Sequence, residues 1–317
     1  MLAVRIHAPG RAELVDLPAP RPAGGELTIR VSWAAVCGTD RKIVRRGVQE
    51  PRVLGHEFTG ERADGTPVAV HPDIGCGRCA QCAAGWSNRC PRRRSIGIDR
   101  DGGFAQHVVV PRSQLVPLEG LAPDLAAMVE PLACCVHAIR MLPLDRLRTA
   151  AVVGAGAMGV LAMWTLQTRG IRVVVVQRSA QRRRMAAELG ADAVLGPDEG
   201  VGEALDAVVV TAPGAQPLRW ATEHVAVGGA VHAFAGTPGG ADIDANAVHY
   251  RHLTLLGSTG STVDDMRAAV ELARSGMVRL GALPRATIAL SDLPHALTSD
   301  PDRGHLRTLV DIGGHAP

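Results

Sequence analysis

Residues 150–159 read Ala150-Ala151-Val152-Val153-Gly154-Ala155-Gly156-Ala157-Met158-Gly159, and this stretch decides the fold. Four apolar residues make a short strand. The Gly-x-Gly-x-x-Gly that follows opens an apolar helix reaching about Arg169, and a second apolar strand comes at 173–176. In a glycine-rich chain the three glycines alone mean little; set between a strand, a helix and a second strand they are a strong signal. The first allows a tight turn, the second lets backbone approach a pyrophosphate, and the third lets helix and strand pack closely. The helix N-terminus then favours the anion. Gly154, Gly156, Met158 and Gly159 are therefore the expected phosphate-binding turn.

The alternation continues with a helix over 180–189, strand 207–210, helix 218–225, strands 230–233 and 253–256, and helix 263–274. That rhythm predicts an α/β fold, a doubly wound parallel sheet with helices on both faces. Thr211 and Ala235 fall just after strands, where the ligand crevice of such a sheet lies. The chain on either side reads differently. Short alternating runs at 2–6 and 27–31 are separated by Pro18-Ala19-Pro20 and Pro22-Ala23-Gly24-Gly25, and 60–70 reads as a hairpin turning at Asp64-Gly65. Strands follow over 104–118, a helix over 124–141, and returning strands at 287–290 and 309–312. The expected division is a mainly β domain made of 1–148 and 279–317, with the parallel sheet in 149–278.

Chemistry gathers in the β part. Cys37-Gly38-Thr39-Asp40 and Gly55-His56-Glu57 put a thiol, an imidazole and two carboxylates within about twenty residues, separated by mostly polar sequence. A catalytic zinc takes three protein ligands of this mixed type and leaves a fourth position open; Cys37, His56 and one further residue would supply them. The competing reading is a small buried cysteine and an ordinary surface His-Glu pair. Further on stand Cys76, Cys79, Cys82 and Cys90. Two Cys-x-x-Cys steps and a fourth thiol eight residues later can close a tetrahedron around a structural zinc that pins a lobe with little core of its own. A redox dithiol would explain one Cys-x-x-Cys but not four cysteines. Glu130, next to Pro131 in an apolar helix, is odd as plain core because a buried carboxylate needs a partner.

Composition narrows the class. With 317 residues, 46% hydrophobic and 21% charged, the chain is long enough for two domains with full cores. A net charge of +3 argues against a nucleic-acid partner, and runs such as Arg92-Arg93-Arg94 and Arg182-Arg183-Arg184 read as solvated faces. No apolar run is long enough to span a membrane. The start alternates like a strand and is not a signal peptide, and seven cysteines, four of them bunched, suit metal binding in a reducing, cytoplasmic compartment.

Taken in order, Cys37-Gly-Thr-Asp40, Gly55-His56-Glu57, the four-cysteine lobe, Glu130-Pro131-Leu132 and Gly154-Ala-Gly156-Ala-Met-Gly159 resemble the zinc-dependent medium-chain dehydrogenase/reductase superfamily over essentially the whole chain. Glu130-Pro131-Leu132 is similar to its polyol, threonine and aminocyclitol dehydrogenase branch, where glutamate completes the catalytic zinc. The resemblance implies a GroES-like, mainly β catalytic domain plus a Rossmann domain, with two Zn²⁺ per chain. It implies Cys37, His56 and Glu130 as catalytic zinc ligands, Glu57 as a neighbouring or exchangeable carboxylate, and Asp40 as hydrogen-bond acceptor for a zinc-bound imidazole. Thr39 would begin a proton relay from the substrate alcohol. The activity implied is hydride transfer between NAD(P) and a secondary alcohol or ketone of a small polyol-like or amino-polyol substrate, a cyclitol among them. The same site run backwards would be a biosynthetic NADPH-dependent ketone reductase, and a non-catalytic zinc-binding relative would lack a complete ligand set. A homodimer or homotetramer is implied in the same way.

Three departures stand out. Relatives that use NAD end the second Rossmann strand in an acidic residue; here Gln177-Arg178-Ser179-Ala180-Gln181-Arg182 offers none. Arg178, Ser179 and Arg182 could grip a 2′-phosphate, so NADP is expected in preference to NAD. Lys42, the chain's single lysine, stands three residues after Thr39 where many relatives carry a relay histidine. Gly257-Ser258-Thr259-Gly260-Ser261 has only small residues where the sorbitol-type branch has an arginine, which argues against sorbitol itself.

Overall fold

The computed structural model describes residues 1–299 and 304–314. Two compact units form. One comprises Met1–Ala133, Ser261–Ser275 and Leu283–Pro317, the other Cys134–Gly260 and Gly276–Ala282. Their seams fall inside the helix Val129–Arg140 and around the helix Val263–Arg274, where the sequence alone places them at 148 and 278. The second helix groups with the β unit for a visible reason: His71 Nε2 lies 3.1 Å from the Ser261 carbonyl just ahead of it.

The first unit is built on the ten-residue strand Glu26–Ala35. It pairs antiparallel with Glu57–Glu61, with His107–Pro111 and with Arg307–Asp311, so one strand organises segments from opposite ends of the chain. Phe58, Phe104, Ile6, Ile29 and Leu54 fill its core and are essentially inaccessible. The hairpin forms where expected, with Gly65 N–H donating to the Arg62 carbonyl. The helix expected over 124–141 is interrupted: Pro123–Ala126 and Val129–Arg140 are separate. Pro131 explains the break, because it has no N–H to give the carbonyl four residues earlier, and a proline is tolerated only in a helix's first turn. The helix Gly38–Arg46 was not foreseen. Its signal is a capping box: Cys37 Sγ accepts from Thr39 N–H, and Asp40 accepts from Cys37 N–H.

The second unit holds six strands, all parallel. In space they run Ala193–Leu195, Arg172–Val176, Thr149–Val153, Leu205–Val210, Val225–Ala233, Thr254–Gly257. Numbered along the chain this is the order 3-2-1-4-5-6 of a dinucleotide-binding sheet. The near-unbroken valine and alanine runs are buried, as a parallel sheet demands. Ala193–Leu195 went unread because three half-buried residues carry too little pattern.

The turn after Thr149–Val153 shows what its glycines are for. Gly154 has φ +112°, and a Cβ on Gly159 would overlap the Gly154 carbonyl oxygen, whereas a Cβ on Gly156 would meet nothing. Gly159→Ala is therefore expected to destabilise the protein by about 1–3 kcal/mol through overpacking. Gly156→Ala should leave stability within about 0.5 kcal/mol while weakening dinucleotide binding. Urea unfolding and cofactor titration of the two variants check this split.

Candidate active site

Cys37 caps one helix, and His56 and Glu57 lie at the start of the strand Glu57–Glu61. Their ligand atoms, one sulfur, one nitrogen and one carboxylate oxygen, lie within 4.8 Å of one another. That is the donor set of a mixed zinc site, and both His56 and Glu57 are buried. Asp40 joins the two halves. One of its oxygens accepts from Cys37 N–H at 2.8 Å and the other stands 3.3 Å from His56 Nδ1. Burial pushes the His56 imidazole down, but Asp40 and Cys37 outweigh burial and hold it well above its ordinary value.

Arg307 completes the cluster and was missed in the sequence. Its Nη2 lies 3.0 Å from each Glu57 oxygen and donates to Oε1, with both side chains at 5% exposure or less. Burial alone would lower the guanidinium; the negative charge of Glu57, then Cys37 and Glu130, raises it. Glu130 is buried in the first turn of Val129–Arg140, where the helix dipole favours its charge. It stands outside the 4.8 Å set that holds Glu57, so the structure places Glu57, with Cys37 and His56, in the tight cluster. Thr39 is half-buried, and Lys42 is exposed one helical turn further on.

Cys76, Cys79, Cys82 and Cys90 also bring their sulfurs within 4.8 Å of one another, and all are free thiols. A backbone N–H from Arg78 and the Arg92 side chain, 3.2 Å away, pull Cys76 down to about 5. Burial, reinforced by the other three thiols, pushes Cys82 up to about 11. Crowded thiols that ionise easily at first and reluctantly at last suit a central cation, which removes their mutual repulsion.

At the carboxyl ends of the second unit's strands lies a cavity of about 820 Å³. Gly154, Arg178, Ala212 and Gly214 line it, joined by Arg219 and Trp220 from the helix Ala215–His224. Thr211 Oγ1 donates to the Val153 and Gly154 carbonyls at 3.1 and 3.2 Å and ties the strand ends together. Ala235 N–H donates to the Val210 carbonyl. Of the three residues expected at a 2′-phosphate, Arg178 lines the cavity, but Ser179 and Arg182 do not. Ser179 is occupied as the cap of Ala180–Glu188, accepting from Arg182 N–H. Arg219 had no sequence signal. Its side chain and that of Arg178 have no hydrogen-bond or ion-pair partner among the described residues, and Asp198 and Glu223 also line the cavity.

Among the described residues no helix is long and apolar enough to cross a membrane. Comparison with known proteins agrees with this architecture. The alcohol dehydrogenase GroES-like domain model matches residues 23–120, and the zinc-binding dehydrogenase model matches residues 157–275. L-galactonate-5-dehydrogenase of Escherichia coli K12 is 30% identical, over 85% of this chain and 88% of its own. L-threonine 3-dehydrogenase of Pyrococcus horikoshii is 29% identical, over 82% and 83%. A provisionally assigned zinc-binding dehydrogenase of Sinorhizobium meliloti 1021, solved bound to NADP, superposes with a TM-score of 0.91 at 31% identity, over 98% of this chain and 99% of its own. The chain belongs to the zinc-dependent alcohol dehydrogenase family, within the medium-chain dehydrogenase superfamily. It is a zinc-dependent, NAD(P)-linked oxidoreductase acting on a CH–OH group.

Removing one partner of a buried ion pair strands the other charge, at a cost of about 3–5 kcal/mol. Glu57→Gln is expected to lose stability on that scale, and Glu57→Gln combined with Arg307→Met to recover part of the loss. Urea denaturation of the two variants measures it.

Proposed function

We propose that this dehydrogenase interconverts a secondary alcohol and a ketone in a small polyol-like or amino-polyol substrate, cyclitols included. The observation that carries the reading is the close cluster of half-buried Cys37 with buried His56 and Glu57, supported by Asp40 and Arg307. The names of the threonine and galactonate relatives support the polar substrate class. Cys37, His56 and Glu130 hold the catalytic zinc, with Glu57 as the carboxylate that exchanges with Glu130, and the four cysteines hold a second zinc. A zinc bound at the first site supplies Lewis acidity, which favours the ionised form of an alcohol near neutral pH, and the nicotinamide supplies the hydride acceptor.

The chain's own groups do the rest. Asp40 fixes the imidazole ring of His56, and Arg307 holds the Glu57 carboxylate in place. Thr39, at the start of its helix, would accept the substrate's hydroxyl proton while passing on its own. Lys42, exposed one turn further on, would shuttle that proton only as a neutral amine; as an ammonium it would bind cofactor phosphate or a polar substrate group instead. Gly154, Gly156, Met158 and Gly159 receive the pyrophosphate at the helix N-terminus, with Thr211 and Ala235 bordering the cofactor. NADP is preferred to NAD because Arg178 and Arg219 present two unpaired cations to one cavity, and no carboxylate ends the second strand. That preference also favours the reductive direction, a ketone reductase, as the second reading. The enzyme works in the cytoplasm as a homodimer or homotetramer.

Metal analysis should return two zinc ions per chain, falling to one in Cys82→Ser. Turnover with polyols, aminocyclitols and their ketones should show kcat/KM at least tenfold higher with NADP(H) than with NAD(H). Arg178→Ala and Arg219→Ala should each cut that ratio severalfold. A wild-type preference for NAD would end the cofactor assignment, and inactivity across the whole panel would end the substrate class.

A further inference from the structure

The backbone that carries His56 is gripped by glycines from a distant stretch of the chain. Gly97 and Gly102 both bring bare α-carbons against the Gly55–His56 peptide. A Cβ on Gly97 would overlap the Gly55 carbonyl and come within 2.7 Å of His56 N. A Cβ on Gly102 would overlap the same carbonyl oxygen and the Gly97 Cα, and come within 2.8 Å of Gly97 N. The contact is also hydrogen-bonded on both sides. Gly103 N–H donates to the Gly55 carbonyl at 2.7 Å, and Phe104 N–H donates to the Leu54 carbonyl at 3.0 Å. Gly102 N–H donates to the Val53 carbonyl at 3.0 Å, and Val53 N–H donates to Asp101 Oδ1 at 2.9 Å. Arg52 reaches across to the Ile98 carbonyl at 3.0 Å. The 95–100 turn that presents Gly97 is itself tied down: Gly97 N–H donates to the Arg100 carbonyl, and Asp99 accepts from Ser95 N–H.

We propose that Gly97 and Gly102 are positioning residues for the candidate catalytic metal site, clamping the Gly55–His56 peptide so that the His56 imidazole stands where Cys37 and Asp40 require it. Asp40 can steer the ring only through a contact of 3.3 Å at Nδ1. Where the ring begins is set by the main chain, and a metal site tolerates about half an ångström of error. The brace removes the freedom that a glycine at position 55, with φ +96°, would otherwise give that main chain. No side chain larger than hydrogen fits at 97 or 102 without moving the peptide, so the two glycines act on the metal without touching it. The inference rests on the reading of Cys37, His56 and their carboxylates as a metal site.

The test uses the full chain stripped of metal by chelation and titrated with Co²⁺ alone, read by visible absorption. The four-thiolate site, with its strong sulfur charge-transfer band, serves as an internal reference. Gly97→Ala and Gly102→Ala should leave Co²⁺ uptake at the four cysteines unchanged. They should weaken uptake at the mixed site by about tenfold or more, the scale on which groups that orient ligands act, and shift its d–d bands. Gly65→Ala controls for backbone strain, since it has φ +80° like Gly97 at +78° but empty space around its Cβ; it should alter neither site. Arg52→Ala loosens the brace without overlap, and should weaken the mixed site alone by a few-fold even if the glycine variants fail to fold. Mixed-site affinity and spectrum within twofold of wild type in Arg52→Ala and in any folded glycine variant would overturn the proposal. A wild-type chain that takes up Co²⁺ only at the four cysteines would overturn the metal-site reading and the proposal with it.

Discussion

Everything in the first unit answers to one constraint: six ionisable groups, Cys37, Asp40, His56, Glu57, Glu130 and Arg307, share a largely water-excluded pocket. Any one of them alone would be costly to bury. The acidic members favour the charged forms of the two basic ones: Glu57, then Cys37 and Glu130, raise Arg307, and Asp40 and Cys37 raise His56. A cluster of this kind, with more negative than positive partners, is poised for a dication. The fold's long-range connections make it possible. The strand Glu26–Ala35 pairs with both Glu57–Glu61 and Arg307–Asp311, which brings together residues 250 positions apart in the chain.

The second unit solves a different electrostatic problem with backbone in place of side chains. A parallel sheet delivers several strand ends and helix N-termini to one edge, where N–H groups can meet phosphate. Glycines 154 and 159 let the first strand and its helix close on each other, and Thr211 locks the neighbouring strand end to them. Only then do side chains matter, as Arg178 and Arg219 enter one cavity from different connections. The four-cysteine lobe is a third such cluster, in which four sulfurs lie within 4.8 Å of one another.

How legible these devices were depends on how local they are. The glycine turn, the four cysteines and the Cys37–Asp40 and His56–Glu57 pairs were readable because spacing along a few residues carries their chemistry. Elements with a strong period were readable too, down to the helix Val263–Arg274, whose bounds match. Misreadings followed weak or competing local signals. A three-residue strand carries no period. Pro131 split a helix that apolar content made continuous.

The sequence by itself determined the two kinds of domain, the family resemblance and the residue types of both candidate metal clusters, because residue type and short spacing suffice for these. Tertiary structure alone decided that Arg307 sits against Glu57, that Glu57 shares the tight cluster with Cys37 and His56, and that Arg219 joins Arg178. It alone decided, too, that Gly97 and Gly102 close on the peptide before His56. Each of these depends on strand pairing or loop packing across tens to hundreds of residues, and no local pattern records which distant backbone will arrive.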